Sequence, residues 1–247
     1  MPTGRHPPGT VAARGTGTPA GARVNRDRSD DIVLAVPRGR IAREVVPLLA
    51  DIGIEPEPAF RDPDSRRLSF RTSVDGLSLI RVRSFDAATF VAFGGADLGV
   101  VGYDVLLEFD YDDLYLPLDL GIGRCRLAVA EPAAVASSDD PRRWSHVRIA
   151  TKYPATTRRH FAARGVQAEC VKLNGSLELA PQLGLCRRIV DLVDTGSTLR
   201  ANGLVEVEKI ADISSRLVVN RTAMKLRPRH LNALVDRFRE VIDGASD

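Results

Sequence analysis

Cysteine is scarce in this 247-residue chain: Cys125, Cys170 and Cys186 are odd in number, widely spaced and set among apolar residues. That excludes a disulfide framework and a CxxC metal pattern, and fits reduced thiols in a cytosolic protein. The four histidines, His6, His146, His160 and His230, show no ligand spacing, so no structural zinc site is expected. No uninterrupted apolar run reaches about 18 residues. With a mean hydropathy of −0.10 and 27% charged residues, the chain reads as soluble, without a membrane span.

Net charge is also small, and its location matters more than its size. Residues 1 to 29 hold five arginines, Arg5, Arg14, Arg23, Arg26 and Arg28, against Asp27 alone, a net of 5 − 1 = +4. The whole chain carries +3, so the remainder is 3 − 4 = −1. A nearly neutral body gives no support for a nucleic-acid-binding face. The leader is rich in Gly, Pro, Thr and Arg, lacks a periodic apolar face and lacks the apolar core of a secretory signal, so it is expected to be disordered.

Three familiar motifs are missing as well. There is no GxGxxG for a dinucleotide, no GxxxxGK[ST] for a P-loop and no GxSxG around a serine nucleophile. Ser, Cys and His form no recognisable catalytic constellation. An enzyme with this sequence is expected to work by positioning and electrostatics rather than through a covalent intermediate.

What is present is alternation. "DIVLAV" reads as a buried strand, "PRGR" as a turn and "IAREVVPLLADIG" as a helix stopped by Gly53. "LSLIRVR", "FDAATFVAFGG", "ADLGVVG" and "YDVLLEF" continue as strand, helix, strand and short helix. "RCRLAVAE", "HVRIAT", "PATTRRHFAARG", "AECVKLNG", "SLELAPQLG", "RRIVDLV" and "STLRANG" repeat the pattern. "VEVEKIADISSRLVVNR" reads as one or two long strands and "RPRHLNALVDRFREVID" as an amphipathic helix. The fold class is α/β with a mostly parallel sheet. A Pro-containing loop over residues 131 to 143 is the candidate hinge between two lobes, with a binding cleft between them at the strand carboxyl ends.

The chemistry concentrates in a few stretches. In "IVDLVDTGSTL" a strand turns into a helix through Asp194, Thr195, Gly196, Ser197 and Thr198. Such a turn gathers backbone N–H groups, hydroxyls and the positive end of a helix dipole, which suits a phosphate. The same residues can simply cap the helix. Asp191 and Asp194 can accept from ribose hydroxyls or hold Mg²⁺ on a pyrophosphate, or be solvated. Arginines cluster at "PRGR" (Arg38, Arg40), "SRRL" (Arg66, Arg67) and "IRVR" (Arg81, Arg83), where forked guanidinium groups can grip phosphate oxygens. Taken singly, each is also an ordinary solvated charge. Glu178, in the first turn of a helix after "LNGS", is adequately explained as a dipole partner.

Together these stretches resemble the ATP phosphoribosyltransferase family. The match runs over "LNGSLELAPQLGLCRRIVDLVDTGSTLRANGL", supported by "AVPRGRI", "SRRLSF", "LIRVRSFDAATFVAFGGADLGVVGYDVL", "GRCRLAVA", "VRIATKYP" and "VEVEKIADISSRLVVNR", roughly residues 31 to 243. The resemblance implies a two-lobed fold of the type II periplasmic-binding-protein kind, with an inter-lobe cleft and no C-terminal regulatory domain. Lobe I would be 30–130 plus 206–247 and lobe II 131–205, after a leader over 1–29.

It further implies transfer of the 5-phosphoribosyl group from phosphoribosyl pyrophosphate to N1 of ATP, with Mg²⁺ bound mainly through substrate phosphates. The resemblance puts Thr195, Gly196, Ser197 and Thr198 on the 5-phosphate, with Asp191 and Asp194 at the ribose. Arg38, Arg66 or Arg67, and Arg83 would face the pyrophosphate and ATP phosphates, and Gly39, Glu178 and Asp104 would lie at the ATP. The family often has lysine where this chain has Arg38. The chain resembles the short form, which pairs with a regulatory subunit similar to histidyl-tRNA synthetase in a hetero-octamer; a homodimer is the expectation without it. A cytoplasmic enzyme follows, with neither nucleic acid nor membrane as partner. The competing reading is a bilobed ligand-binding or regulatory module without catalysis; residues 1 to 30 supply neither the signal peptide of an exported binding protein nor the helix-turn-helix of a regulator.

Overall fold

The computed structural model describes residues 31–109, 111–140 and 143–244; the leader expected over residues 1–29 lies outside them. The chain begins with β1 (Ile32–Pro37), α1 (Arg40–Asp51) and a single 3-10 turn (Pro58–Phe60). It continues through β2 (Ser69–Arg71), β3 (Leu77–Val82), α2 (Ser84–Ala92), β4 (Leu98–Gly102), α3 (Tyr103–Glu108) and β5 (Leu114–Asp119). A second group follows: β6 (Cys125–Pro132), α4 (Ala133–Ala136), β7 (His146–Thr151), α5 (Pro154–Ala162), β8 (Gln167–Lys172), α6 (Leu179–Gln182), β9 (Arg188–Val193) and α7 (Ser197–Ala201). Two strands, β10 (Leu204–Ile213) and β11 (Ser215–Asn220), lead to α8 (Arg221–Leu226) and α9 (Pro228–Gly244).

These strands make two sheets, one in the order β2-β3-β1-β4-β11-β5 and one in the order β10-β6-β9-β7-β8. Both are mixed rather than mostly parallel. In the first, only the β1–β3 and β1–β4 pairs are parallel; β2, β11 and β5 join antiparallel. In the second, β7 pairs parallel with β8 and β9, while β6 and β10 run antiparallel. Part of this is the return path: β10 and β11 are one extended run broken at Ser214, and the break sends each half to a different sheet, where each pairs antiparallel. β2 and β6 add the remaining antiparallel pairs with β3 and β9. The expected boundaries near residues 130 and 206 fall inside β6 and β10, both in the second sheet; the chain changes sheets at residues 120–124 and at Ser214.

Each sheet is covered on both faces, which explains why β1 is an unbroken apolar run with all six residues buried. Ile32, Leu34 and Val36 face α1 and α9, meeting Val45, Leu49, Leu231, Leu234, Val235 and Phe238. Val33 and Ala35 face α2 and α3 through Ala87, Ala88, Val91 and Val105. The spacing Leu231, Leu234, Val235, Phe238 is the stripe of an amphipathic helix, and each such buried side chain stabilises by roughly 1.5–3 kcal/mol. In the second sheet Leu127, Val129 and Ile149 pack on Phe161 of α5, whereas Ala128, Ala130 and Ile189 face Leu177 and Leu199.

Candidate functional site

The carboxyl ends of β1, β3 and β4 in one sheet and of β7 and β9 in the other converge. Arg40, the first residue of α1, donates to Asp194 Oδ2 at 2.6 Å, although 154 positions separate them. Tyr153, just after β7, donates its hydroxyl to Asp104 Oδ2 at 2.8 Å. Lys152 Nζ sits 4.2 Å from the centroid of the Phe85 ring of α2. Glu108, closing α3, accepts from the amides of Ala155 and Thr156 at 2.9 Å each and from the Thr156 hydroxyl at 3.0 Å, capping α5 from the other sheet.

The turn after β9 has a defined shape. Gly196 lies in the left-handed region at φ 72° and is the N-cap of α7, where its lack of a Cβ permits the turn. No side chain caps that helix through the N-cap residue. Instead Thr195 Oγ1 donates to Ser197 Oγ at 3.0 Å and accepts from the Ser197 amide at 3.4 Å, so the hydroxyls organise one another. Asp194, Thr195, Ser197 and Thr198 are all exposed. The Asp194 carbonyl accepts from Arg126 at 2.9 Å and the Thr195 carbonyl from Arg200 at 3.0 Å, which pins the loop from behind.

Asp191 differs from its neighbour Asp194. It is largely withdrawn from water, and burial pushes its carboxyl up to about 6; the negative charges of Glu178 and Asp104 act in the same direction, opposed by the Leu192 amide and Lys152. Glu178, Lys152 and Asp104 are thus near enough to Asp191 for their charges to act on it. Asp104 is itself buried, and desolvation raises it against the Tyr153 hydrogen bond. Burial likewise raises the Tyr153 phenol, with the Asp104 charge adding to it. Cys125, at the start of β6, is raised by burial and by Asp104, while Arg40 lowers it.

The arginines divide by environment. Arg38 and Gly39 line a cavity of about 620 Å³ with Ala42, Arg43, Val46, Phe60, Arg61, Pro63, Ser65 and Arg81. Arg67 is engaged by Glu57 at 2.6 Å and lies 5.5 Å over Phe70. Arg66, beside it, is exposed. Arg83, also exposed, is the N-cap of α2, outside the strand that carries Arg81. Glu178 is the N-cap of α6. Of the residues singled out from sequence, Glu178 and Asp104 lie near enough to Asp191 for their charges to act on it, Asp194 pairs with Arg40 at the start of α1, and Arg38 and Gly39 border the cavity. Arg40, part of the PRGR arginine cluster, is the one that reaches the turn after β9; Lys152 and Tyr153 carry no motif signal beyond position, the first two residues after the parallel strand β7. Among the described residues, no group of three or more His, Cys, Asp or Glu is arranged to hold a metal ion, and no helix is long and apolar enough to cross a membrane.

Residues 83–240 match the family model HisG, described as ATP phosphoribosyltransferase. The ATP phosphoribosyltransferase of Rhodospirillum rubrum is 65% identical over 221 residues, 90% of this chain and 97% of that protein. That of Acidithiobacillus ferrooxidans is 53% identical over 208 residues, 84% of this chain and 95% of its own length. Among solved structures, the ATP phosphoribosyl transferase (HisG:HisZ) complex from Thermotoga maritima superposes with a TM-score of 0.72 at 31% identity, covering 86% of this chain and 99% of that one. The periplasmic aliphatic sulphonate binding protein SsuA from Escherichia coli superposes with a TM-score of 0.51 at 12% identity, over 87% of this chain and 73% of its own; that likeness is one of fold, the two-lobed α/β architecture of periplasmic binding proteins.

Proposed function

Since the chain belongs to the ATP phosphoribosyltransferase family, we propose that the space between its two sheets is where ATP meets phosphoribosyl pyrophosphate. The reaction transfers the 5-phosphoribosyl group to N1 of ATP and releases pyrophosphate, the first step of histidine biosynthesis. The observation that carries the site is the Arg40–Asp194 contact, which sets the hydroxyl-rich turn of one sheet against the arginine-bearing strand ends of the other.

In this reading each sheet is the centre of one lobe. Thr195, Gly196, Ser197 and Thr198 hold the 5-phosphate, and Asp191 and Asp194 accept from the ribose hydroxyls. Arg38, Arg66 and Arg83 face the pyrophosphate and the ATP phosphates, with Gly39 allowing close approach. Arg66 is preferred to Arg67 because Glu57 already occupies Arg67. Glu178 borders the ATP. Asp104, buried on Tyr153, serves the reaction by fixing how the lobes meet rather than by touching the nucleotide.

The chemistry is in-line displacement at the anomeric carbon with inversion. The nucleophile is a ring nitrogen and the leaving group is already a good one, so positioning and charge neutralisation carry the catalysis. The family is consistent with a metal-dependent reaction, and we assign Mg²⁺. Substrate phosphate oxygens would hold such a hard cation, with Asp191, Asp194 and Glu178 as the oxygen-donor carboxylates of the assigned site. When bound, Mg²⁺ neutralises charge on the departing pyrophosphate.

By analogy with the HisG:HisZ complex, the partner is a regulatory subunit resembling histidyl-tRNA synthetase, in a hetero-octamer. A cytoplasmic setting accords with Cys125, Cys170 and Cys186 being free thiols. The test mixes the protein with ATP, phosphoribosyl pyrophosphate and Mg²⁺, with pyrophosphatase present, and follows the ultraviolet absorbance of the adduct. Adduct formation is expected; its absence both with and without the regulatory partner would overturn the assignment.

A further inference from the structure

We propose that Arg81 is a positioning residue that shapes the arginine-bearing segment 60–67 and leaves its own charge acting on the adjoining cavity. The proposal rests on the reading of Arg38 and Arg66 as pyrophosphate ligands. Arg81 lies on β3, only 7% exposed. Its Nη1 donates to the carbonyls of Phe60 at 3.3 Å and Asp62 at 2.9 Å. Its Nη2 donates to the carbonyls of Ser65 and Arg67. The guanidinium carbon stands 4.9 Å from the centroid of the Phe70 ring.

All of these acceptors belong to a stretch with almost no regular structure of its own. After the 3-10 turn, residues 61–68 form neither helix nor strand; Leu68 accepts from the Arg81 amide and Asp62 from the Ser65 amide, but the carbonyls of Ser65 and Arg67 have no ladder to join. One side chain supplies the donors instead, and only a planar fork can reach acceptors spread from residue 60 to residue 67. A lysine offers three donors from a single point and cannot span them.

The second feature is electrostatic. Every hydrogen bond of the Arg81 side chain ends on a neutral carbonyl, and its Nε is buried without a partner. Carbonyl dipoles solvate a cation without cancelling its charge. Arg81 lines the same cavity as Arg38, Arg43 and Arg61, so its charge adds to the field that an entering phosphate meets. Arg67, by contrast, is paired with Glu57 and stands 5.5 Å from the centroid of the same Phe70 ring. Arg81 thus does two things at once: it sets where Arg66 and Ser65 lie, and it keeps the cavity cationic.

The test compares Arg81→Lys with the unaltered protein by pyrophosphate binding, ribose 5-phosphate binding, and tryptic cleavage after Arg61, Arg66 and Arg67. The lysine variant keeps the charge and loses the fork, so cleavage in the segment should accelerate and pyrophosphate affinity fall, each about tenfold. Ribose 5-phosphate, bound on the other sheet, should be unaffected; a purely structural defect would weaken both ligands together. If Arg81→Lys is too unstable to assay, Phe70→Leu, which removes the ring and leaves the arginine, should move the same readouts in the same direction. Arg38→Ala and Arg66→Ala separate the two claims: if neither weakens pyrophosphate, the ligand reading itself fails. If they weaken it while Arg81→Lys changes neither cleavage nor affinity, or weakens both ligands equally, the positioning role is overturned.

Discussion

Arg40 and Asp194 meet at 2.6 Å across the space between the two sheets. Both are substantially exposed, with side-chain exposures of 43% and 58%, so their pairing contributes at most about 1 kcal/mol to stability. Its value is positional: the guanidinium stands beside the turn assigned to the 5-phosphate. Arg40→Ala should leave thermal unfolding nearly unchanged while weakening phosphoribosyl pyrophosphate by about 1–2 kcal/mol, the scale of one charge-assisted hydrogen bond. Calorimetric titration alongside a melting curve checks this; a stability loss without an affinity loss would make the pair purely structural.

Asp191 sets a pH dependence. Its folded pKa of about 6 lies above the ordinary value of 3.8, so the folded state holds this proton more tightly than the unfolded one. The associated stability is present below the ordinary value and is lost as pH rises through about 6. Asp191→Asn should therefore be more stable than the parent at pH above this window, with the gap closing below it. Under the assignment of Asp191 to the ribose hydroxyls, ligand binding should run the opposite way, because those hydroxyls need the carboxylate. Affinity for phosphoribosyl pyrophosphate should fall as pH drops through the same window, and Asp191→Asn, uniformly weak, should lose that component. Urea titrations and binding isotherms at several pH values measure both.

Glu108 offers a test of how the sheets are joined. Its carboxylate satisfies first-turn amides of α5 that would otherwise lack acceptors, and it favours the positive end of that helix. Glu108→Ala should cost about 1–2 kcal/mol in chemical denaturation. An unchanged midpoint would mean that water replaces the carboxylate without penalty.

Much of this was legible in the sequence, and the reason is locality. The strand, turn and helix around "IVDLVDTGSTL" follow from an apolar run, a left-handed glycine and short hydroxyl residues, and they appear as β9, Gly196 and α7. Most helices and strands came out for the same reason. The mixed sheets did not, in part because strand direction depends on where Ser214 sends the chain and not on the pattern of β10 or β11. β5 escaped notice because Pro117 breaks its pattern, and an edge position tolerates that proline. Arg81 and Arg83 look equivalent two residues apart, yet β3 ends at Val82, so one is buried and the other caps a helix. Asp104 comes from sequence only through the family resemblance, at the ATP, and the hydrogen bond from the distant Tyr153 reveals it as a buried clasp.

The assignment of the 195–198 turn as the phosphate anchor is tested most directly by titrating phosphoribosyl pyrophosphate into Thr195→Val and Thr198→Val. Each variant removes one hydroxyl while keeping side-chain shape. Binding should weaken by about 1–3 kcal/mol in each, with the fold intact by circular dichroism. Affinity equal to that of the unaltered protein in both variants would contradict the assignment and return the turn to an ordinary helix entry.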